Sequence, residues 1–211
     1  MIEVYAYATP NSVKVPIALE ELGLNYTLHP INVKQGAQKQ ESFRTLNPNA
    51  KVPVLVDTRP QTGERLVLSE SAAILVYLAE RQQQLLPSAG SERARVFEQL
   101  FFHASAVSPA FGNAGFFTRL AAEPQPLAQQ RFSAEAERVT ALLDGLLAQR
   151  IFMAGDDYSV ADIAHFGWFW RRAFAGVALE AYPNLSRWYA SVEQRPAVQR
   201  AIARVDALTI A

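Results

Sequence analysis

A proline directly ahead of three β-formers does most to constrain this chain. Lys51-Val52-Pro53-Val54-Leu55-Val56 reads as a strand that cannot begin before Pro53, because proline lacks the donor a central strand needs. Pro53 does fit a strand's first position, and a cis Val52–Pro53 bond there turns the chain sharply. Such a turn leaves the N–H and C=O of Val52 without sheet partners, free to pair with a short extended peptide. Downstream, Ser69-Glu70-Ser71 opens an apolar run, Ala72 to Ala79, with helical character. A helix start offers unpaired N–H groups and positive potential, which suit a carboxylate. A peptide-pairing edge beside a carboxylate pocket describes a site for a small anionic peptide.

The rest of the first half reads as alternating elements. Ile2 to Tyr7 is a first strand, and Thr9-Pro10-Asn11-Ser12 breaks it. Val13 to Leu22 is a helix, with Val15, Ala18, Leu19 and Leu22 at helical spacing, Pro16 in its first turn and Gly23 as its stop. Ser12 is read as its N-cap. Tyr26 to Val33 is a second strand, placed at an edge by Pro30. A polar loop over Lys34–Gln40 leads to a short helix near Ser42–Leu46. Val54–Asp57 and Arg65–Leu68 form a hairpin around a turn containing Pro60 and Gly63, and a helix over Ser71–Gln83 closes the unit. The order β-α-β then β-β-α predicts a small α/β domain over residues 1–85.

Leu86-Pro87-Ser88-Ala89-Gly90-Ser91 is a linker, and the pattern over 92–211 is helical throughout. Val96, Leu100 and His103 share a face. Val139, Leu142, Leu143, Leu146 and Leu147 keep the 3.6-residue period. Ser159 and Asp162 have capping-box spacing, with Asp in place of Glu. Pro183 and Pro196 divide the last helices.

Composition narrows the chemistry. Twenty basic residues balance 20 acidic ones, with no basic block to track phosphates, so nucleic acid is a poor partner. Cysteine is absent, which excludes disulfides, thiolate metal sites and a thiol nucleophile carried by the protein. Any thiol chemistry must use a thiol brought by the ligand. His29, His103 and His165 lack metal-ligand spacing, so no metal is expected. With no apolar run near the ~18 residues of a membrane span and no signal-peptide pattern, a cytoplasmic protein away from the membrane is expected.

Four segments taken together resemble the glutathione transferase superfamily across nearly the whole chain: Ala18 to Tyr26, Asn47 to Pro53, Leu68 to Glu80, and Tyr158 to Ala164. Within it, Thr9-Pro10-Asn11, Gly36-Ala37-Gln38 and Gln129-Gln130-Arg131-Phe132 are most similar to the bacterial nu-class, the glutathione-dependent disulfide-bond oxidoreductases. The resemblance implies a thioredoxin-like α/β N-terminal domain that binds glutathione as co-substrate, and an all-α C-terminal domain. It implies that Val52 pairs its backbone with the cysteinyl unit, with Lys51 and Pro53 beside it among the glutathione-binding residues, that Glu70 and Ser71 hold the γ-glutamyl end, and that Gln38 meets the glycine end. It further implies a homodimer in which Arg131 reaches glutathione across the interface.

The residues leave open which group meets the sulfur. A thiol near pKa ~8.5 is mostly protonated at neutral pH, and a donor aimed at it favours the reactive thiolate. Tyr7, Thr9, Asn11 and Ser12 are all candidates. Tyrosine-type superfamily members use a strand-end tyrosine, while Thr9 falls where serine-type members place a hydroxyl. The nu-class resemblance assigns the contact to Thr9 and Asn11. Phe111, Phe116 and Phe117 are candidates for an aromatic wall facing a second substrate, with ordinary core packing as the alternative.

Three functions compete: reduction of a disulfide by bound glutathione, conjugation of glutathione to an electrophile, and a non-catalytic binding module. Retention of Val52-Pro53, Glu70, Ser71 and a polar strand end together argues against the third.

Overall fold

A computed structural model describes residues 1–59 and 62–209, which fall into two compact units. The first comprises Met1–Gln84 together with Gln194–Ala211, and the second Leu85–Glu193.

In the first unit a four-stranded sheet has the order β2-β1-β3-β4. Strand β1 (Ile2–Ala6) leads to helix α1 (Lys14–Glu21), then to β2 (Thr27–Pro30), which pairs parallel to β1 at the sheet edge, where Pro30 is tolerated. Two 3₁₀ turns, Val33–Gln35 and Ala37–Lys39, occupy the expected polar loop, and a single helical turn, α2 (Glu41–Arg44), follows. Strands β3 (Val54–Thr58) and β4 (Arg65–Ser69) form the expected antiparallel hairpin. Pro60 of its turn lies outside the described residues. Helix α3 (Ser71–Gln82) completes the β-α-β, β-β-α order.

Helix α1 is buried from Lys14 to Leu19 and packs against α3 and the last helix of the chain, α9 (Pro196–Ala207). Gly23 stops α1 at φ +65°, a region glycine enters without strain. Ser12 does not cap α1: the N-cap is Val13, with no side-chain bond. The chain already turns helically at Val13, so the Ser12 hydroxyl faces back toward β1 instead.

Pattern alone assigns α9 to the helical half. It belongs instead to the first unit, and its contacts give the reason. Arg195 grips Glu21 with two bonds, at 2.6 and 2.9 Å. Arg200 and Arg204 reach Glu20 at 2.8 and 3.0 Å, and the Arg204 guanidinium lies 3.9 Å above the Tyr26 ring. Buried Ala197, Val198, Ala201 and Val205 supply the apolar stripe beneath these pairs.

The second unit begins with α4 (Gly90–Phe102), which runs through a wide π turn at His103–Val107 into α5 (Ser108–Gly115), then through another at Phe116–Leu120. The first widening precedes Pro109, which can neither donate to the preceding turn nor fit its ring inside a regular one. Helices α6 (Pro126–Leu147), α7 (Val160–Trp170) and α8 (Pro183–Glu193) follow. Of the expected α6 stripe, Val139, Leu143 and Leu147 are buried, whereas Leu142 is 44% exposed at the edge of the apolar face. The Ser159–Asp162 capping box forms as expected. Asp162 is fully buried. Its Oδ1 accepts from Met153 N–H at 2.9 Å and Trp188 Nε1 at 2.8 Å, and its Oδ2 from Ser159 N–H at 2.9 Å and Ser159 Oγ at 3.2 Å.

Candidate functional site

Strand register gathers the candidate residues of the first unit at one end of the sheet. Tyr5 lies opposite Val54, so the segment leaving β1 adjoins the segment entering β3. Val54 in turn lies opposite Ser69, which brings the end of β4 and the start of α3 alongside. Ala6 is in register with Pro30, so the loop carrying Gln38 leaves from the same end. Three strand ends and one strand start thus converge where an open α/β sheet ordinarily binds its ligands.

The chain leaves β1 through a tight turn, with Thr9 N–H donating to the Tyr7 carbonyl at 2.7 Å. Ser12 is fully buried and holds this turn: its N–H donates to Thr9 Oγ1 at 3.1 Å, and the two hydroxyls bond at 2.9 Å. Ser12 Oγ also accepts from Tyr7 N–H at 3.4 Å. Thr9 is therefore fixed in place. In this bond the Thr9 hydroxyl donates to Ser12 Oγ, and its proton is turned to a ligand only when the pair reverses and Ser12 donates to Thr9. Tyr7 is 4% exposed, which agrees with packing as its role.

Asn11 is half-buried, and its Oδ1 accepts from Lys14 Nζ at 2.7 Å. Lys14 is fully buried in the first turn of α1. Burial pushes its ammonium well below the ordinary lysine range, against the pull of the Glu70 carboxylate, which raises it. Sequence reasoning passed over Lys14. The available signal was a lysine inside the apolar run Val13–Leu19, three residues after a candidate amide and so on the same side of a helical turn.

The Val52–Pro53 bond is cis, as expected. Among the described residues, neither the N–H nor the C=O of Val52 has a hydrogen-bond partner. The approach to it is braced: Asn47, 5% exposed, donates from Nδ2 to the Lys51 carbonyl at 2.8 Å and accepts from Asn49 N–H at 3.0 Å. Lys51 itself is exposed.

Glu70 precedes α3 with φ +68° and ψ +109°, a conformation rare for a residue with a side chain and worth roughly 1–3 kcal/mol of strain. The kink leaves its carboxylate exposed at the helix start, while Ser71 is 8% exposed in the first turn. Gln38 Oε1 is buried and has no hydrogen-bond partner among the described residues. An acceptor in that state is matched by a ligand N–H.

The remaining candidates lie in the second unit. Phe111 is fully buried, edge-on to Trp168 and Phe169 at 6.2 and 5.2 Å, and is core, the alternative the sequence held open. Phe116 is 46% exposed, and Phe117 stacks on Phe132 at 5.4 Å. Arg131 is exposed on α6. His103 and His165 meet edge-on at 5.5 Å in the interior, and His29 contacts Glu3 at 2.9 Å. Among the described residues, no three His, Cys, Asp or Glu side chains gather to hold a metal ion, and no helix is long and apolar enough to cross a membrane.

Residues 8–81 match the family model of the glutathione S-transferase N-terminal domain, and residues 80–196 that of the glutathione S-transferase C-terminal domain. The disulfide-bond oxidoreductase YfcG of Escherichia coli K12 is 34% identical over 209 residues, spanning 98% of this chain and 96% of its own. A glutathione transferase family member from Pseudomonas fluorescens, solved with two glutathione bound, superposes with a TM-score of 0.89 at 34% identity, over 95% of this chain and 92% of its own. A glutathione transferase from Pseudomonas putida, solved with one glutathione disulfide bound per subunit, gives 0.87 at 34% identity, over 95% and 90%. The chain belongs to the glutathione transferase superfamily, within its nu-class-like group of bacterial disulfide-bond oxidoreductases.

Proposed function

We propose that the protein reduces disulfides with glutathione, by thiol–disulfide exchange at the sheet end of its first unit. One observation carries this reading. A chain without cysteine gathers neutral hydrogen-bond donors, Thr9 and Asn11, beside an unpaired backbone segment at Val52. The thiol must therefore come from the ligand, and the protein's part is to hold and polarise it. YfcG, named a disulfide-bond oxidoreductase, and the relatives solved with two glutathiones or with the disulfide support the same reading.

Val52 pairs its N–H and C=O with the cysteinyl unit, each bond netting about 0.5–1.5 kcal/mol. Pro53 and Lys51 flank that contact, Glu70 and Ser71 take the γ-glutamyl end, and Gln38 Oε1 accepts near the glycine end. Thr9 and Asn11 donate to the sulfur and favour its thiolate. The thiolate attacks one sulfur of the substrate disulfide. A glutathionyl mixed disulfide forms, the old S–S bond breaks, and the other substrate sulfur leaves as a thiolate that takes up a proton. A second glutathione, deprotonated in turn, attacks the mixed disulfide at the glutathione sulfur. It releases the second substrate thiolate, which is protonated, and leaves glutathione disulfide.

Neither Thr9 nor Asn11 can act as a strong general base, and exchange does not require one. The protein works as a cytoplasmic homodimer, where a reducing compartment keeps glutathione in its thiol form. Arg131 is supplied to a glutathione carboxylate across the dimer interface, and Phe116 and Phe117 are the aromatic candidates for second-substrate contact. The test is a turnover comparison with glutathione against a small disulfide, an aryl chloride and an organic hydroperoxide. Faster reduction of the disulfide is expected. Turnover of the aryl chloride alone would instead make the protein a conjugating transferase.

A further inference from the structure

We propose that Lys14 is a positioning residue that decides which end of the Asn11 amide meets the glutathione sulfur. The proposal rests on the reading that Asn11 contacts that sulfur.

An asparagine side chain ends in an acceptor and a donor of nearly the same shape, and its two orientations have opposite effects on a nearby thiolate. Turned one way, Nδ2 donates to the sulfur and stabilises the anion; turned the other, Oδ1 repels it. Nothing in asparagine itself selects between them. Here the selection is made from below. Lys14 Nζ lies 2.7 Å from Oδ1, a short bond from a donor on a fully buried side chain. In its charged form a lysine has three donors and no acceptor, so it holds the oxygen and cannot hold the amide nitrogen. Among the described residues nothing accepts from Asn11 Nδ2, which leaves that group for a ligand.

A lysine buried this completely is costly, and a methionine of similar reach would fill the same space without a charge. Stability therefore does not account for its presence. The Glu70 carboxylate favours the charged form of Lys14, and it belongs to the other end of the proposed glutathione site.

The experiment follows the ultraviolet thiolate absorbance of enzyme-bound glutathione against pH, with calorimetric affinity for S-methylglutathione measured on the same proteins. In Lys14→Met the amide is free to turn, and the ionisation of bound glutathione should move up by about one pH unit, a roughly tenfold loss of thiolate near neutrality. Affinity for S-methylglutathione, which has no thiol to ionise, should change by less than about threefold. Lys14→Arg, which keeps a donor, should restore much of the shift. Asn11→Ala should raise the ionisation as far as Lys14→Met does, and the double variant no further than either alone, because both act on one contact. If Lys14→Met does not fold, Lys14→Gln, whose amide can accept as well as donate, is read in the same way. An unchanged ionisation in Lys14→Met alongside a shifted one in Asn11→Ala overturns the proposal and leaves the sulfur contact standing. Unchanged ionisation in both, with glutathione still bound, overturns the sulfur contact itself.

Discussion

Asn11 and Tyr7 stand four residues apart on the segment leaving β1, yet their surroundings give them different work. Tyr7 is sealed into the unit at 4% exposure, while Asn11 sits half-buried with its oxygen already committed to Lys14. Asn11→Ala should therefore lower kcat/KM for a small disulfide by roughly ten- to a hundredfold, the equivalent of one lost charge-assisted bond of about 1.5–3 kcal/mol. Tyr7→Phe should leave turnover largely intact. The reverse ranking, measured with purified variants of unchanged melting temperature, would assign the sulfur to the tyrosine. Glu70 invites a second measurement. Its carboxylate is exposed at a strained backbone position, so truncation removes the proposed ligand contact without opening a cavity. Glu70→Ala should weaken glutathione binding by about 1.5–3 kcal/mol in calorimetry, with little change in resistance to denaturant. At this scale the sequence was legible wherever a residue type had one use, as with Val52-Pro53 ahead of a strand. It was illegible where several uses were open. Ser12 resembled a cap because serine ahead of a helix usually is one, and only the early helical turn at Val13 sends its hydroxyl to Thr9 instead.

Helix α7 begins on a carboxylate that does more than cap it. Asp162 joins its own N-cap to Met153 and to the indole of Trp188 on α8, so three segments of the second unit meet on two oxygens. Burial pushes its carboxyl from the ordinary 3.8 up to about 6, against the pull of these donors. The folded value lies above the unfolded one. Between about pH 4 and 6 the folded chain therefore holds a proton the unfolded chain has released. The stabilising contribution is complete below that window and is lost as pH rises through it, to the order of 3 kcal/mol. Asp162→Asn should flatten this part of the stability–pH profile in urea titrations at stepped pH. It should also cost roughly 1–3 kcal/mol throughout, because an amide leaves one pair of donors without an acceptor. The capping box itself was readable from Ser159 and Asp162, being local. The bond from Trp188, 26 residues on, was not, because no periodic pattern links an indole to a distant carboxylate. The α6 stripe shows the same limit: spacing finds the apolar side of a helix, but the width of the buried face is set by its neighbours, and Leu142 falls outside it.

The whole molecule is where pattern reading and structure part most clearly. The order of strands and helices predicted the α/β unit, because strand pairing and crossover rules leave few alternatives. Nothing in the period of α9 says which partner its apolar stripe will meet. The decision lies in complementary charge, with Arg195, Arg200 and Arg204 answering Glu20 and Glu21 from 174 to 184 residues earlier. Assembly beyond one chain is the matching question for Arg131, which is exposed on α6. Arg131→Ala should raise the Michaelis constant for glutathione several-fold while kcat changes little, and the wild-type protein should sediment as a dimer. A monomer that retains full activity would remove the arginine from the site. The return of α9 also carries a consequence for how the protein comes into being. Chains emerge from the ribosome amino end first, yet the helix that starts with Lys14 is roofed by a helix made only after the whole second unit. While residues 85–193 are being made, the glutathione-binding half stands without its cover. A product interrupted before Gln194 would carry every candidate ligand-contacting residue of that half and still lack the helix that covers its own interior.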